Sequence, residues 1–448
     1  MLAHVDNVRA ALEWCFGANG NLVVGVGLAA AAAPMFLTMS LLPECHRWSK
    51  QGIRALEDAT RGGAEEMHLQ ASLGASSMHM HGQSGSARAA LERGLAIAEA
   101  RGDFLYQVEL VSTLTMFHTR AGNFKTALHY AKLGQTLAQT VADETALALA
   151  HSSLGRSLHV MGDHRGARAA LEASLQFWSK LPGTSDVYLG FDHHILVRIG
   201  LARTLWVQGH PAQAAERMRQ TIRDVERRQD RVYSLGFALF WAPGIFLSVG
   251  DLRSAEECAD RLISHGETHF RRHNLAVGRG YKGALAILRG DARGGVETLK
   301  SCLEQLHAVR YEMLNTEFKL VLVQGLMAMR QFDEAVVLID ETIKLIEQNE
   351  DLLYMPEALR VKGNVFLSLP QRQPDDAEMC FTQSLDWSRR QGARSWELRT
   401  ATDLAALWAS QGERDRAGSI LQPIFETFAE GFDTADLQAA EHLLATLH

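Results

Sequence analysis

Along most of the chain, apolar residues recur at the three-to-four spacing of an amphipathic helix, and no stretch keeps the two-residue alternation of a half-buried strand. Leu154, Leu158 and Met161 form one such run; Ala167, Ala170, Leu171, Ser174 and Leu175 continue it as small and apolar positions, with Gly162 between the two. The same punctuation returns throughout: a Gly, usually a polar residue next, and an Ala five positions after the Gly. It occurs at Gly82/Ala87, Gly122/Ala127, Gly162/Ala167, Gly209/Ala214, Gly250/Ala255 and Gly412/Ala417, with variants at Gly290/Gly295 and Arg330/Ala335, a stretched form ending at Ala377, and a weaker first copy with Cys45 at the Ala position. Successive anchors from 45 to 417 are separated by 42, 40, 40, 47, 41, 40, 40, 42 and 40 residues, a period near 40 held over ten copies.

Each motif is expected to be the turn of a helical hairpin. The Gly supplies a left-handed residue that closes the first helix, Asp163, Asn123 or Asp251 caps the second, and the Ala sits where the two helices approach most closely. Small residues recur twelve positions before the anchor (Ala75, Gly155, Ala202, Gly283, Ala405) and seven after it (Gly94, Gly134, Ser174, Thr221, Cys302, Thr342). This three-point pattern resembles the tetratricopeptide repeat over nearly the whole chain, departing from it in period, near 40 instead of 34, and in lacking the usual Pro at the repeat end. The resemblance implies an all-α, right-handed superhelical solenoid of about ten tetratricopeptide-like hairpins.

Irregularities in the repeat suggest an organisation. Residues 1–20 form a junction helix, 21–180 a first sub-solenoid, 181–192 a Gly- and Pro-containing hinge where the step lengthens to 47, 193–432 a second sub-solenoid, and 433–448 a capping helix. The turn at Pro370–Asp376 is lengthened and stiffened by two prolines.

Composition narrows the function classes. The chain has 448 residues, 47% of them hydrophobic, and a net charge of −7, which argues against coating nucleic acid or an anionic membrane by bulk charge. Five cysteines without a CxxC pair fit a reducing, cytoplasmic setting better than a disulfide framework. Leu22–Leu42 carries no charge, but Ala29–Ala33, Gly25, Gly27 and Pro34 make a buried helix the better reading than a membrane span, and no basic segment precedes it as a secretory signal would require. No GxSxG, HExxH or glycine-rich dinucleotide loop is present, so no catalytic residue, cofactor or enzyme activity is expected. His79 and His81, two apart on a helix, point away from each other, and no metal is expected there or at His193-His194.

The candidate chemistry lies in the groove. In a repeat solenoid the first helices line the concave face; eleven positions before the anchor stand Ser76, Met116, Arg156 and Arg203, and eight before stand His79, Thr119, His159 and Trp206. Arg120 adds a charge near the rim, while Phe240, Ala284, Ile287 and Leu320 make the later lining more apolar. Arg120, Arg156, His159, Arg203 and Trp206 are therefore the candidate binding residues, suited to a protein or peptide partner or a small anionic effector, with no direct nucleic-acid or membrane contact. The plainer alternative is that these arginines pair with carboxylates on adjacent helices.

The opening segment His4-Val5-Asp6-Asn7-Val8-Arg9-Ala10-Ala11-Leu12-Glu13-Trp14, with Arg47-Trp48 and Arg54-Ala55-Leu56 beyond the Ala-rich stretch, resembles the junction at which the ATPase module of bacterial STAND-type transcriptional regulators, of winged-helix or LuxR type, passes into C-terminal helical repeats. No Lys follows a Gly, so a P-loop is missing, and no helix-turn-helix stands outside the repeats. The resemblance implies the sensor part of such a regulator: a cut-down product, a separated subunit or part of a longer reading frame. The rival reading is a free-standing scaffold for complex assembly, unrelated to transcription.

Overall fold

The computed structural model describes residues 5–181, 187–227, 232–269 and 271–447. After α1 (Val5–Cys15), ten helical hairpins follow along the chain: α2 and α3 (Leu22–Thr38, Leu42–Arg54), α4 and α5 (Ala64–His81, Gly85–Arg101), α6 and α7 (Phe104–Arg120, Phe124–Val141), α8 and α9 (Glu144–Val160, His164–Ser179), α10 and α11 (His193–Val207, Pro211–Glu226), α12 and α13 (Val232–Ser248, Leu252–Thr268), α14 and α15 (Arg272–Leu288, Ala292–Ala308), α16 and α17 (Asn315–Ala328, Phe332–Asn349), α18 and α19 (Met355–Ser368, Pro374–Gln391), and α20 and α21 (Arg394–Ser410, Arg414–Phe425). A last helix, α22 (Ala435–Leu447), buries Leu437, Ala440 and Leu444 against α20 and α21. The fold is all-α, a tandem array of tetratricopeptide-like hairpins. No helix among the described residues is long and apolar enough to cross a membrane.

The turns form as the repeat implies. Gly162 adopts φ +82°, and the amide of Asp163 returns to the Leu158 carbonyl at 3.0 Å, satisfying an end carbonyl of α8. Asp163 then accepts from Gly166 N at 2.9 Å and Asp251 from Ser254 N at 3.0 Å, capping α9 and α13. Asn123 does not follow: its side chain makes no capping hydrogen bond to α7. Where Arg330 replaces the Gly it still takes φ +60°, a left-handed conformation that costs an L-residue about 1–2 kcal/mol.

The anchors lie at the closest approach within each hairpin. Cys45, Ala87, Ala167, Ala214, Ala255, Ala335, Ala377 and Ala417 are fully buried. Across from Ala167, a Cβ on Gly155 would come within 3.0 Å of the Ala167 carbonyl oxygen and 2.6 Å of Leu171 Cγ, so backbone meets backbone. The small residues seven after the anchor are buried as well, and Ser174 uses its hydroxyl to donate to the Ala148 carbonyl at 2.7 Å.

The chain divides into two units, residues 1–154, 173–194 and 228–234 in the first, and 155–172, 195–227 and 235–448 in the second. Of the segment read as a hinge, residues 182–186 lie outside the described residues, as do 1–4 of the junction segment and His448 of the last helix. Its end carries a feature that no alternation in the sequence announced, a two-stranded antiparallel ribbon of β1 (Val187–Tyr188) and β2 (Phe191–Asp192) turning at Leu189 and Gly190. Phe191 and Asp192 are buried in the first unit, where Asp192 accepts from Ser234 Oγ at 2.6 Å.

Replacing Ala167 with Leu forces α8 and α9 apart at their tightest point. We expect a loss of about 2–3 kcal/mol, at the upper end of overpacking costs, read as a lower urea midpoint with far-ultraviolet circular dichroism still helical.

Candidate functional site

The second unit holds a half-open cavity of about 520 Å³. Its wall is built chiefly by the first helices of successive hairpins, α8, α10, α12, α14, α16, α18 and α20, together with α22 and the start of α13. Because the small residues of each first helix press on its own second helix, the opposite face is left to line the cavity.

The last repeat shuts one side of it. The Ser395 hydroxyl donates to the Trp206 carbonyl, the Gln213 amide and side chain donate to Glu430 at 3.0 and 2.9 Å, and Arg399 Nη2 donates to the Ser248 carbonyl at 3.1 Å. The Trp206 and Trp396 rings meet edge to face with centroids 4.6 Å apart, and Arg399 lies 5.1 and 5.2 Å from them. The backbone fits closely here: Gly250 holds φ +81°, and a Cβ on it would lie 2.8 Å from Ala435 Cβ.

Two of the three arginines in the wall are committed to carboxylates. Arg360 donates to Glu357 at 2.7 Å and to Asp403 at 2.6 Å, while Asn364 adds a second donor to Asp403 at 2.7 Å. Arg399 pairs with Asp436 at 2.7 Å and lies 3.7 Å from Glu357. Burial alone would raise the Glu357 pKa, and Arg360 and Arg399 more than reverse that, holding it below the ordinary carboxylate range. Glu317 differs: burial keeps its pKa above the ordinary value although Tyr354 donates to it at 2.8 Å. Nearby, burial lifts Asp351 to about 7.

Arg203 stands apart from these pairs. Its guanidinium lies over the Trp241 indole, 4.0 Å from the centroid. Among the described residues it makes no ion pair within 4 Å and no hydrogen bond, and its charge acts at longer range on the buried carboxyls of Glu317 and Asp351. His159 is buried; Thr204 donates its hydroxyl proton to the Gly200 carbonyl at 2.9 Å, so the 3.1 Å contact between Thr204 Oγ1 and His159 Nδ1 places the imidazole proton on Nδ1. Burial, with Arg203 adding to it, pushes the His159 pKa well below the ordinary range, so the ring is neutral.

Of the five residues singled out from sequence, the structure brings His159, Arg203 and Trp206 to this one cavity. Trp206 is largely occupied with Trp396 and Arg399. Arg156, also in the second unit, is half-buried, with its Cγ 3.3 Å from where a Cβ on Gly200 would stand, and is not among the lining residues. Arg120 belongs to the first unit, fully buried, its Nη1 3.4 Å from His79 Nδ1 and its Cζ 5.1 Å from the Phe191 centroid, so its expected place near a rim is corrected to an interior one.

The apolar later half also needs correction. Ala284 and Leu320 do line the cavity, but so do Glu317, Glu357, Arg360, Arg399, Asp403 and Asp436. The repeat register held the signal: fourteen positions before the anchor stand Trp241, Tyr281, Val321 and Asp403, and eighteen before stand Glu317 and Arg399, the same helical face one and two turns further back.

The hairpin array defines a helical-repeat protein of tetratricopeptide-like fold, an architecture suited to protein interaction. A family model described as Tetratricopeptide repeat matches residues 148–173 and 195–220. Comparison with curated proteins finds no match by sequence. Among solved structures the chain is similar to a Rap protein complexed with competence and sporulation factor, at 13% identity over 82% of this chain and 98% of that one, with a TM-score of 0.61, a likeness of fold. It also resembles a Signal Transduction ATPase with Numerous Domains (STAND) protein with a tetratricopeptide repeat sensor from Pyrococcus horikoshii, at 12% identity over 89% of this chain and 57% of that one, with a TM-score of 0.42. Yeast Tom70 matches at 11% identity over 99% and 93%, with a TM-score of 0.36. The last two superpose loosely, and only the first bears on the fold.

Two outcomes follow from the charges. Arg360→Met leaves Glu357 and Asp403 without their main partner and should cost about 3–5 kcal/mol in urea unfolding. Asp351, with a folded pKa of about 7 against about 3.9 in the unfolded chain, binds its proton more tightly when folded; its contribution is therefore present at acid pH and lost as pH rises from about 4 to about 7. Asp351→Asn should gain on the parent protein between pH 5 and pH 8, as measured by urea midpoints at the two values.

Proposed function

We propose that this chain is a non-catalytic solenoid that binds an effector or protein partner and serves as the sensor segment of a STAND-type bacterial transcriptional regulator, working in the cytoplasm. The observation that carries the binding role is Arg203: a cation held over Trp241 in the wall of a half-open cavity, with no carboxylate of the described residues within ion-pair distance. Such an arrangement offers charge-assisted hydrogen bonds to an incoming group at small cost in internal pairing. The Rap protein similar in fold is itself complexed with competence and sporulation factor, which supports a binding role for this architecture. Binding between first helices of several repeats would favour one arrangement of them over another, the population shift a sensor needs.

The tie to transcription rests on the likeness of the sequence from His4 to Trp14, with Arg47-Trp48 and Arg54-Ala55-Leu56, to the junction of such regulators. In-frame DNA upstream of Met1 encoding a Gly-Lys-Ser/Thr P-loop supports it; a ribosome-binding site there with no ATPase gene nearby favours the scaffold instead.

The binding role is tested by a thermal-shift screen followed by titration. Arg203→Ala should weaken the affinity of any cavity ligand about tenfold or more, since a hydrogen bond to a charged group contributes roughly 1.5–3 kcal/mol. Arg416→Ala is the control, because Arg416 pairs with Glu413 and Glu378 on the exposed side of α21. Equal affinities for the parent protein and Arg203→Ala would overturn the role given to Arg203.

A further inference from the structure

The charges of the cavity wall restrict what can enter it. Glu357, Asp403 and Asp436 face only two guanidinium groups, those of Arg360 and Arg399, and each arginine is held at 2.6–2.7 Å. This side of the wall is closed to a further anion, because its cations are already bonded and carboxylates outnumber them. Glu317, on α16, adds a fourth carboxyl and no cation. A ligand with several negative charges would therefore meet one cation without a hydrogen-bonded carboxylate, itself already acting on Glu317 and Asp351, and a surplus of carboxyl groups.

Arg203 supplies that cation, and its surroundings say what should accompany the charge. Its guanidinium lies 4.0 Å from the Trp241 centroid, and its N–H groups make no hydrogen bond among the described residues, so a planar two-oxygen acceptor is the group they are suited to bind. Ile245, Ala284, Leu288, Leu320, Val321 and Leu353 supply an apolar wall. At about 520 Å³ the cavity is within the size range of small-molecule sites, about 300–1,000 Å³.

We infer that the cavity's ligand is a small organic monoanion, a single carboxylate on a flat apolar body, with the carboxylate bonded to Arg203 and the body against the apolar wall beside Trp241. The inference rests on the reading of this cavity as an effector site and narrows it: polyphosphates, tricarboxylates and acidic peptides are disfavoured by the carboxylate surplus, and neutral aromatics forgo the bond to Arg203.

The test uses the full chain and three sets of probes in isothermal titration: phenyl-, naphthyl- and indolylacetate; their carboxamides; and citrate and ATP. The arylacetates should bind at least tenfold tighter than the matching carboxamides, and citrate and ATP more weakly than either. Arg203→Met, which keeps an unbranched apolar stem without the guanidinium, should weaken the acids at least tenfold and erase the acid-over-amide preference. Val321→Phe, which fills the wall from a partly exposed position, should weaken acids and amides together. Circular dichroism and melting of both variants guard against misfolding; if Arg203→Met does not fold, the acid-over-amide ratio in the parent protein decides alone. Amides or polyanions binding as tightly as the acids, with Val321→Phe weakening them, would overturn the monoanion class and keep the effector site. Absence of binding by all three sets would overturn both.

Discussion

Everything in this structure depends on two helices of a hairpin touching through their backbones. At Gly155 and Ala167 no side chain larger than a methyl separates α8 from α9, and the equivalent anchors in the other hairpins are fully buried. That approach fixes which face of each helix turns inward to its partner. The face of the first helix that remains is presented to its neighbours in the array, and in the second unit those faces surround the cavity. A spacing rule for small residues thereby determines where the arginines and tryptophans come together.

This dependence also explains how far the sequence could be read. Gly and Ala at fixed spacing report contacts between positions a few turns apart, so the hairpins, their turns and the closing helix α22 follow from pattern alone. The same register led to Arg203, Trp206 and His159, because it states which residues of a first helix share a face. The rows named from sequence reach only twelve positions before the anchor, and Trp241, Tyr281 and Asp403, fourteen before, and Glu317 and Arg399, eighteen before, stand beyond them. Arg120 was misplaced for another reason: whether a long side chain reaches solvent or turns inward depends on what packs over it, and Phe191, from a ribbon the period does not encode, lies within 5.1 Å of it.

The cavity's chemistry is set by subtraction. Four carboxyl groups and three arginines line it, yet only Arg203 lacks an ion pair, since Glu357, Asp403 and Asp436 occupy the other two. Counting charges by residue type would call the site acidic. Following each hydrogen bond to its end shows one cation, on an indole, without a hydrogen-bonded carboxylate, and it is that distribution, more than the total, which a ligand would meet.

The contacts that bring α20 and the loop before α22 back onto earlier turns join residues 151 to 217 positions apart. An open array of repeats can unzip from its end, one hairpin at a time, because each hairpin touches only the next. In the second unit the terminal hairpin is stitched to Trp206, Gln213 and Ser248, so peeling it away also strips contacts from repeats that remain folded. The free end is thereby converted from the weakest point of the array into a clasp, and its fraying becomes linked to the integrity of repeats far upstream.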